Sequence, residues 1–359
     1  MKRRFVMLFF AGMLAVGLSS CGKKEVSVNP VQSAAGEMES SITEEPQEPS
    51  EESSEQQTVP ESEEVQGEIA QSAEETEMQQ SEQTKEQDSN SGEVPETGQN
   101  VQDSKATYSD RQEIYLDAGW QYADHSAIHT GAAVMYKASG DRNGIVIGVN
   151  AGHGTSGGSS VKTLCHPDGS AKTTGGSTSA GATKATAVSG GMTFNDGASE
   201  SSVTLRMAEI LRDKLLAAGY DVLMVRDGSD VQLDNVARTV ICNNVADCHI
   251  SLHWDGDGLD YDKGSFYISV PDGIKNMEPV ASHWQHHNAL GQSLVEGLRA
   301  QGCKIKGEGS MAIDLTQTSY STVPSVDMEF GNACSDHSDS TLSTQAEGLL
   351  QGINNYFGK

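Results

Sequence analysis

His153, Glu200, His253 and Glu329 stand far apart along a chain of 359 residues. Two imidazoles and one carboxylate from separate segments suffice to hold a single Zn²⁺ with its fourth position open to water. An ion held in that way activates the water and polarises a carbonyl, and a further carboxylate can then manage the protons. The set outlines a metal-dependent hydrolase in which His153, Glu200 and His253 are the expected zinc ligands and Glu329 the expected catalytic acid/base.

The elements that would carry these side chains can be read around them. Ile145-Val146-Ile147-Gly148-Val149 is apolar on both faces, as a strand inside a parallel sheet must be, and runs into Gly152-His153-Gly154. His153 is therefore expected at the carboxyl end of a strand, the end where open α/β sheets bind ligands. His253 closes a second such run, Ala246 to His253, before Trp254-Asp255-Gly256-Asp257-Gly258 breaks the pattern. Glu200 opens a stretch with Val203, Met207, Ile210, Leu211 and Leu215 at helical spacing, ended by Gly219. A carboxylate in a first helical turn suits the helix dipole and can also reach a metal above the sheet. Tyr220 to Val225 reads as the next strand, so helix and strand form a crossover between parallel strands.

In that order the residues form a pattern. The segment from Ile145 to Phe357 resembles the zinc-dependent N-acetylmuramoyl-L-alanine amidases of the type 3 family. The resemblance rests on Gly152-His153-Gly154 after an apolar strand, Glu200 heading a helix, and Gly219-Tyr220-Asp221-Val222 with Val225-Arg226. It continues with Arg238 and Cys242-Asn243, Ser251-Leu252-His253, Gly264 before Phe266-Tyr267-Ile268, and Pro324-Val326-Met328-Glu329-Gly331. It implies hydrolysis of the amide joining the lactyl group of N-acetylmuramic acid to L-alanine in peptidoglycan, with Glu329 moving the water's proton to the leaving nitrogen. The chain departs from the family where Val149-Asn150-Ala151 stands for the common Asp-Pro-Gly. It also departs in a stretch of more than 40 residues rich in Gly, Ser, Thr and Ala between His153 and Glu200. A long loop without regular structure inside a domain is usually functional or mobile. This one reads as a lid or substrate-binding flap over the zinc, with a loose surface insertion as the alternative.

Other candidates surround the set. Arg226, Arg238 and His249 are possible supports of the metal ligands, and Glu329 could instead pair with one of the two arginines, since buried carboxylates find cations. His249, Ser251 and His253 alternate onto one face of their strand, although His249 could also pack beneath the sheet. His283 and His287 lie four apart in an expected helix but lack the glutamate of a His-Glu-x-x-His site, and read as a solvated face. Cys165-His166 is too isolated to read as a ligand pair. Asn332, Cys334, Asp336, His337 and Asp339 crowd the segment after Glu329 with no role assigned.

The front of the chain addresses location. Lys2-Arg3-Arg4 precedes an apolar run from Phe5 to Leu18, of signal-peptide rather than membrane-spanning length, and ends in Leu18-Ser19-Ser20-Cys21. That ending resembles the bacterial lipobox, which implies lipidation at Cys21 after removal of residues 1–20. Residues 22–108 hold 22 acidic residues against 4 lysines and no hydrophobic periodicity. Such a composition cannot offset chain entropy by burial, so residues 21–108 are expected to be a disordered acidic tether. A coil of that length averages roughly 50 Å end to end. About −12 of the net charge of −27 is left for the remainder, which disfavours nucleic acid. Cys165, Cys242, Cys248, Cys303 and Cys334 then form an odd set, within which Cys242 and Cys248 could pair.

The expected protein is an exported, lipid-anchored zinc amidase on the outer face of the cytoplasmic membrane, or periplasmic where there are two membranes, with peptidoglycan as its partner. Its fold is α/β: a single domain, residues 144–359, with a mainly parallel twisted sheet flanked by helices, preceded by the tether and by an extension over residues 109–143. The alternatives are a non-catalytic muropeptide-binding lipoprotein and a zinc peptidase acting on stem peptides.

Overall fold

The computed structural model describes residues 108–359. The leader, Cys21 and all but the last residue of the acidic tether lie outside the described residues. Ten strands and five helices follow. Strands β1 (Gln112–Tyr115), β2 (Ala132–Tyr136) and β3 (Val146–Ala151) precede a small hairpin of β4 (Lys162–Leu164) and β5 (Lys184–Thr186). Helix α1 (Glu200–Ala217), β6 (Asp221–Met224), α2 (Asn235–Val245), β7 (Cys248–Asp255) and β8 (Ser265–Ser269) come next. The chain ends with α3 (Val280–Ala300), β9 (Ile305–Ala312), α4 (Thr316–Tyr320), β10 (Ser325–Asn332) and α5 (Asp339–Phe357). Among these, no helix is long and apolar enough to cross a membrane.

Eight strands make one sheet in the order β1-β2-β6-β3-β7-β10-β8-β9. The central four, β6-β3-β7-β10, are parallel, while β2 and β8 join them antiparallel. The sheet is thus mixed at its margins and parallel where the site lies. Every residue of β3 and of β6 is buried, because helices cover both faces and leave no polar side for the strands to alternate toward. On one face α1 contributes Val203, Met207, Leu211 and Leu215 at helical spacing and packs with leucines of α3 and α5. On the other, Ala237, Ile241 and Cys242 of α2 pack on Val146 and Leu223.

The extension expected over residues 109–143 supplies β1 and β2 to the sheet edge. Asp234 helps to hold it: its carboxylate caps α2 at Ala237 N (2.8 Å) and also accepts from Ala127 N (2.6 Å) and Ile128 N (2.8 Å). Cys242 and Cys248 form no disulfide with one another; both lie in the core. The helix bearing His283 and His287 is α3, but His287 is 2% exposed and accepts from Ser325 N at 2.9 Å. It is a core histidine holding the start of β10, which corrects the expectation of a solvated face.

The Gly-rich stretch is neither without structure nor loose. It folds as a flap built on the β4–β5 hairpin and pinned by a buried His166–Asp314 pair at 2.8 Å. Asp314 also accepts from Thr173 N (2.7 Å) and Thr173 Oγ1 (3.1 Å). Burial alone would raise the Asp314 carboxyl; the hydrogen bonds from His166 and Thr173 outweigh it and hold the group below its ordinary 3.8.

Candidate metal centre

The three expected ligands meet at the carboxyl ends of β3 and β7. Glu200 Oε1 lies 2.7 Å from His153 Nε2 and 3.1 Å from His253 Nδ1, and the two imidazole nitrogens are 3.0 Å apart. Within the described residues these three are the group of ligating side chains close enough to share one ion. A tetrahedral ion about 2.0–2.1 Å from each ligand sets its ligands about 3.3 Å apart, so the edges of the observed triangle need to open by about 0.2–0.6 Å. The donor set, two nitrogens and one oxygen, suits zinc with one position left open.

Local chemistry prepares each ligand. His153 Nδ1 donates to the carbonyl of Ser189 at 2.9 Å, which leaves the Nε2 lone pair aimed at the centre. The backbone of His153 is left-handed, with φ of 65°, turning the side chain from the strand end back over the sheet. Its flanking glycines are there for space. A Cβ at Gly152 would stand 2.3 Å from His253 Cε1, and one at Gly154 would stand 2.6 Å from Arg226 Cδ. Glu200 is the first residue of α1, and its carboxylate is held by backbone outside the helix, Oε2 accepting from Met192 N (2.8 Å) and Oε1 from Trp254 N (3.0 Å).

The electrostatics favour a cation. Burial would raise Glu200, but the two imidazoles outweigh it and hold the carboxyl well below the usual range. Burial would lower His253, yet Asp327, Glu200 and Glu329 together carry it up to about 10.

Glu329 sits in register with His253 across the β10–β7 pair and lines the same cavity. Its Oε2 is buried with no hydrogen-bond partner, and it pairs with neither Arg226 nor Arg238. Burial first, and the neighbouring Asp327 carboxylate second, push it well above the usual carboxylate range. Asp327 was not singled out from the sequence. It lies two residues before Glu329 on the same strand face, its Oδ2 is 3.9 Å from His253 Nε2, and its Oδ1 is unpartnered and buried. The available signal was an acidic residue alternating with another inside an otherwise apolar strand.

The arginines support the site through the backbone and do not touch the ligands' side chains. Arg226 donates to the carbonyls of Ala151 (3.1 Å) and Gly152 (3.0 Å). Arg238 places all five of its N–H groups on Leu233 O, Asn150 Oδ1, Ala151 O, His153 O and Thr155 Oγ1, with 2.6 Å to the His153 carbonyl. Burial and then the nearby Arg226 push the Arg238 guanidinium down to about 9, still charged at neutral pH. Asn150, at the departure from Asp-Pro-Gly, joins this lattice by donating to Ser251 Oγ at 2.8 Å.

His249 is not brought to the centre. It lies four residues down β7 from His253, about 13 Å at the rise of a strand. Both its ring nitrogens are buried without partners, and burial followed by Arg238 lowers it to about 3, so it is a neutral core residue rather than a support of the ligands. Beyond Glu329, Asn332 donates to Asp257 Oδ1 at 3.1 Å. His337 pairs with Asp196 at 3.1 Å, and Asp339 pairs with Arg206 at 2.8 Å. That segment therefore latches the end of the flap and the start of α1.

Residues 147–354 match the family model described as N-acetylmuramoyl-L-alanine amidase. Among solved structures, the chain is similar to the N-acetylmuramyl-L-alanine amidase Ami1 from Mycobacterium smegmatis, at 18% identity and a TM-score of 0.50, covering 61% of this chain and 99% of that one. It is also similar to Ami1 from Mycobacterium abscessus (20% identity, TM-score 0.48, 60% of this chain and 99% of that one). A third is the amidase AmiC2 of Nostoc punctiforme (16% identity, TM-score 0.44, 60% and 98%). No curated protein matches the chain.

Proposed function

The chain belongs to the N-acetylmuramoyl-L-alanine amidase family, and from that premise we propose that it is a zinc-dependent hydrolase of the amide between N-acetylmuramic acid and L-alanine in peptidoglycan. The observation that carries the zinc reading is the convergence of His153 Nε2, Glu200 Oε1 and His253 Nδ1 on one point above the carboxyl ends of β3 and β7.

Zinc held by these three residues supplies a Lewis acid that polarises the amide carbonyl and makes water nucleophilic at neutral pH. The protein does the rest. Ser189 O and the arginine lattice keep His153 oriented, and Glu200 is fixed by two backbone N–H groups. Glu329 accepts a proton from the attacking water and delivers it to the departing nitrogen of L-alanine, a transfer the reaction needs because an amide anion leaves poorly. Its burial suits it to hold that proton between the two steps. The cavity that holds these groups is about 680 Å³, room for a sugar and a short peptide rather than for an isolated amide.

We further infer from the leader and Cys21 that the enzyme is exported and lipid-anchored, with the acidic tether giving it reach into the wall. The parent chain should incorporate labelled fatty acid and Cys21→Ser should not, and a parent chain that takes up no label would refute the anchor. The activity is tested by mass spectrometry of digested peptidoglycan. Free L-alanine amino groups with intact lactyl groups are expected. Cuts within the stem peptide would make it a peptidase, and binding without products would make it a muropeptide-binding protein.

A further inference from the structure

The cavity does not end at the metal centre. It runs from the trio to the flap, where Lys172 forms part of its wall although the residue is only 7% exposed. Backbone bonds within the flap, Lys172 N to Ala182 O at 2.9 Å and Gly181 N to Lys172 O at 2.8 Å, fix the residue in place. Its ammonium meets one protein acceptor among the described residues, the carbonyl of Asp314. An ammonium has three donors, so two remain unspent in a buried position. The Asp314 carboxylate is already engaged by His166 and Thr173. The other permanent cation lining the cavity, Arg238, has no donor left, since its five are matched by five acceptors.

Among the described residues the cavity wall thus offers one side-chain cation with donors to spare. Glu200, Asp255, Asp327 and Glu329 line the metal end, where a bound Zn²⁺ would offset their charge, while Lys172 stands at the flap. A peptide joined to a lactyl group through its N-terminus keeps at least one carboxylate, at its own C-terminus. A buried ammonium with spare donors at the flap attracts that group, so its position gives the peptide a direction in which to lie.

We propose that Lys172 is a specificity-determining residue that takes a carboxylate of the substrate's peptide while the scissile amide lies against His153, Glu200 and His253. The proposal deepens the amidase reading and rests on it. The full chain carrying Glu329→Gln, so that ligand is not consumed, is titrated calorimetrically with N-acetylmuramoyl-L-alanyl-D-glutamate and with the same compound amidated at both carboxyl groups. A charge-assisted hydrogen bond made in a buried site predicts that the acid binds about 10- to 100-fold more tightly than the diamide. Adding Lys172→Gln should abolish that preference, and Lys172→Arg should keep part of it.

Equal affinities for acid and diamide in the chain that retains Lys172 would overturn the proposal, as would a preference that survives Lys172→Gln. The first comparison decides alone if Lys172→Gln does not fold. Hydrolysis is read separately in the chain that retains Glu329. Cleavage with equal affinities would remove the role of Lys172 and leave the amidase reading standing, whereas acid-selective binding without cleavage would do the reverse.

Discussion

Replacing Arg238 by lysine keeps the charge and removes the fork. The guanidinium spans five acceptors from two segments, Leu233 O on one and Asn150 Oδ1, Ala151 O, His153 O and Thr155 Oγ1 on the other. A lysine ammonium carries three donors on a single atom and cannot reach around the same lattice. At least two of the five bonds from the charged donor are lost, at about 1.5–3 kcal/mol each, so Arg238→Lys should destabilise the fold by about 3–6 kcal/mol. Typical domains have about 5–15 kcal/mol in hand, so the variant should fold at moderate temperature. The loss should also reach the metal, because the His153 carbonyl is one of the acceptors and holds that residue in its left-handed conformation. Losing a group that orients a metal ligand typically weakens binding about 10- to 100-fold. Urea unfolding of the zinc-free chain measures the first quantity, and competition with a chromophoric chelator measures the second. A variant with the parent's unfolding midpoint and zinc affinity would refute the idea that the arginine lattice supports the site.

Three further outcomes are expected. Glu329→Gln should lower kcat by about 10²- to 10⁴-fold while zinc content stays at the parent level, as assayed by product release and elemental analysis; loss of zinc in this variant would make Glu329 a ligand and not an acid/base. Gly152→Ala places a methyl 2.3 Å from His253 Cε1 and so should push that imidazole aside, weakening zinc binding by about tenfold or more in the chelator competition; unchanged affinity would mean the ring has space to move. The flap should loosen in acid. The Asp314 carboxyl is held below 3.8 when folded, so its stabilisation is complete above that pH and is lost as pH falls through the folded value. Hydrogen exchange of residues 166–182, corrected for intrinsic rate, should speed up there in the parent and show no such step in Asp314→Asn. A parent flap whose protection holds down to global acid unfolding would speak against the pin.

The rim of the sheet was legible because parallel strands buried on both faces announce themselves as uninterrupted apolar runs. The residue ending each run is then placed without knowledge of the rest of the fold. That logic located His153 and His253, and the helical spacing after Glu200 located the third member. The flap was not legible in the same way. Its anchors are paired across the sequence, His166 with Asp314 and Lys172 with the Asp314 carbonyl, and neither end carries a periodicity that points to the other. A Gly- and Ser-rich composition signals a lack of core-forming side chains, which is also what a flap held by hydrogen bonds looks like. His287 was misread for a related reason. Four-residue spacing shows that it shares a helix face with His283, but not that this face turns toward Ser325 at the start of β10. Asp327 is less legible because the resemblance offers a role for Glu329 and none for its neighbour, although strand alternation places both on the cavity side.

The account stands on one shared ion. Elemental analysis of the purified full-length chain, repeated on His153→Ala, Glu200→Gln and His253→Ala, tests it most directly. One zinc per chain, removable by a chelator and reduced to background in each of the three variants, is the predicted result. A chain that binds no zinc, or that keeps it when Glu200 is replaced, would contradict the account.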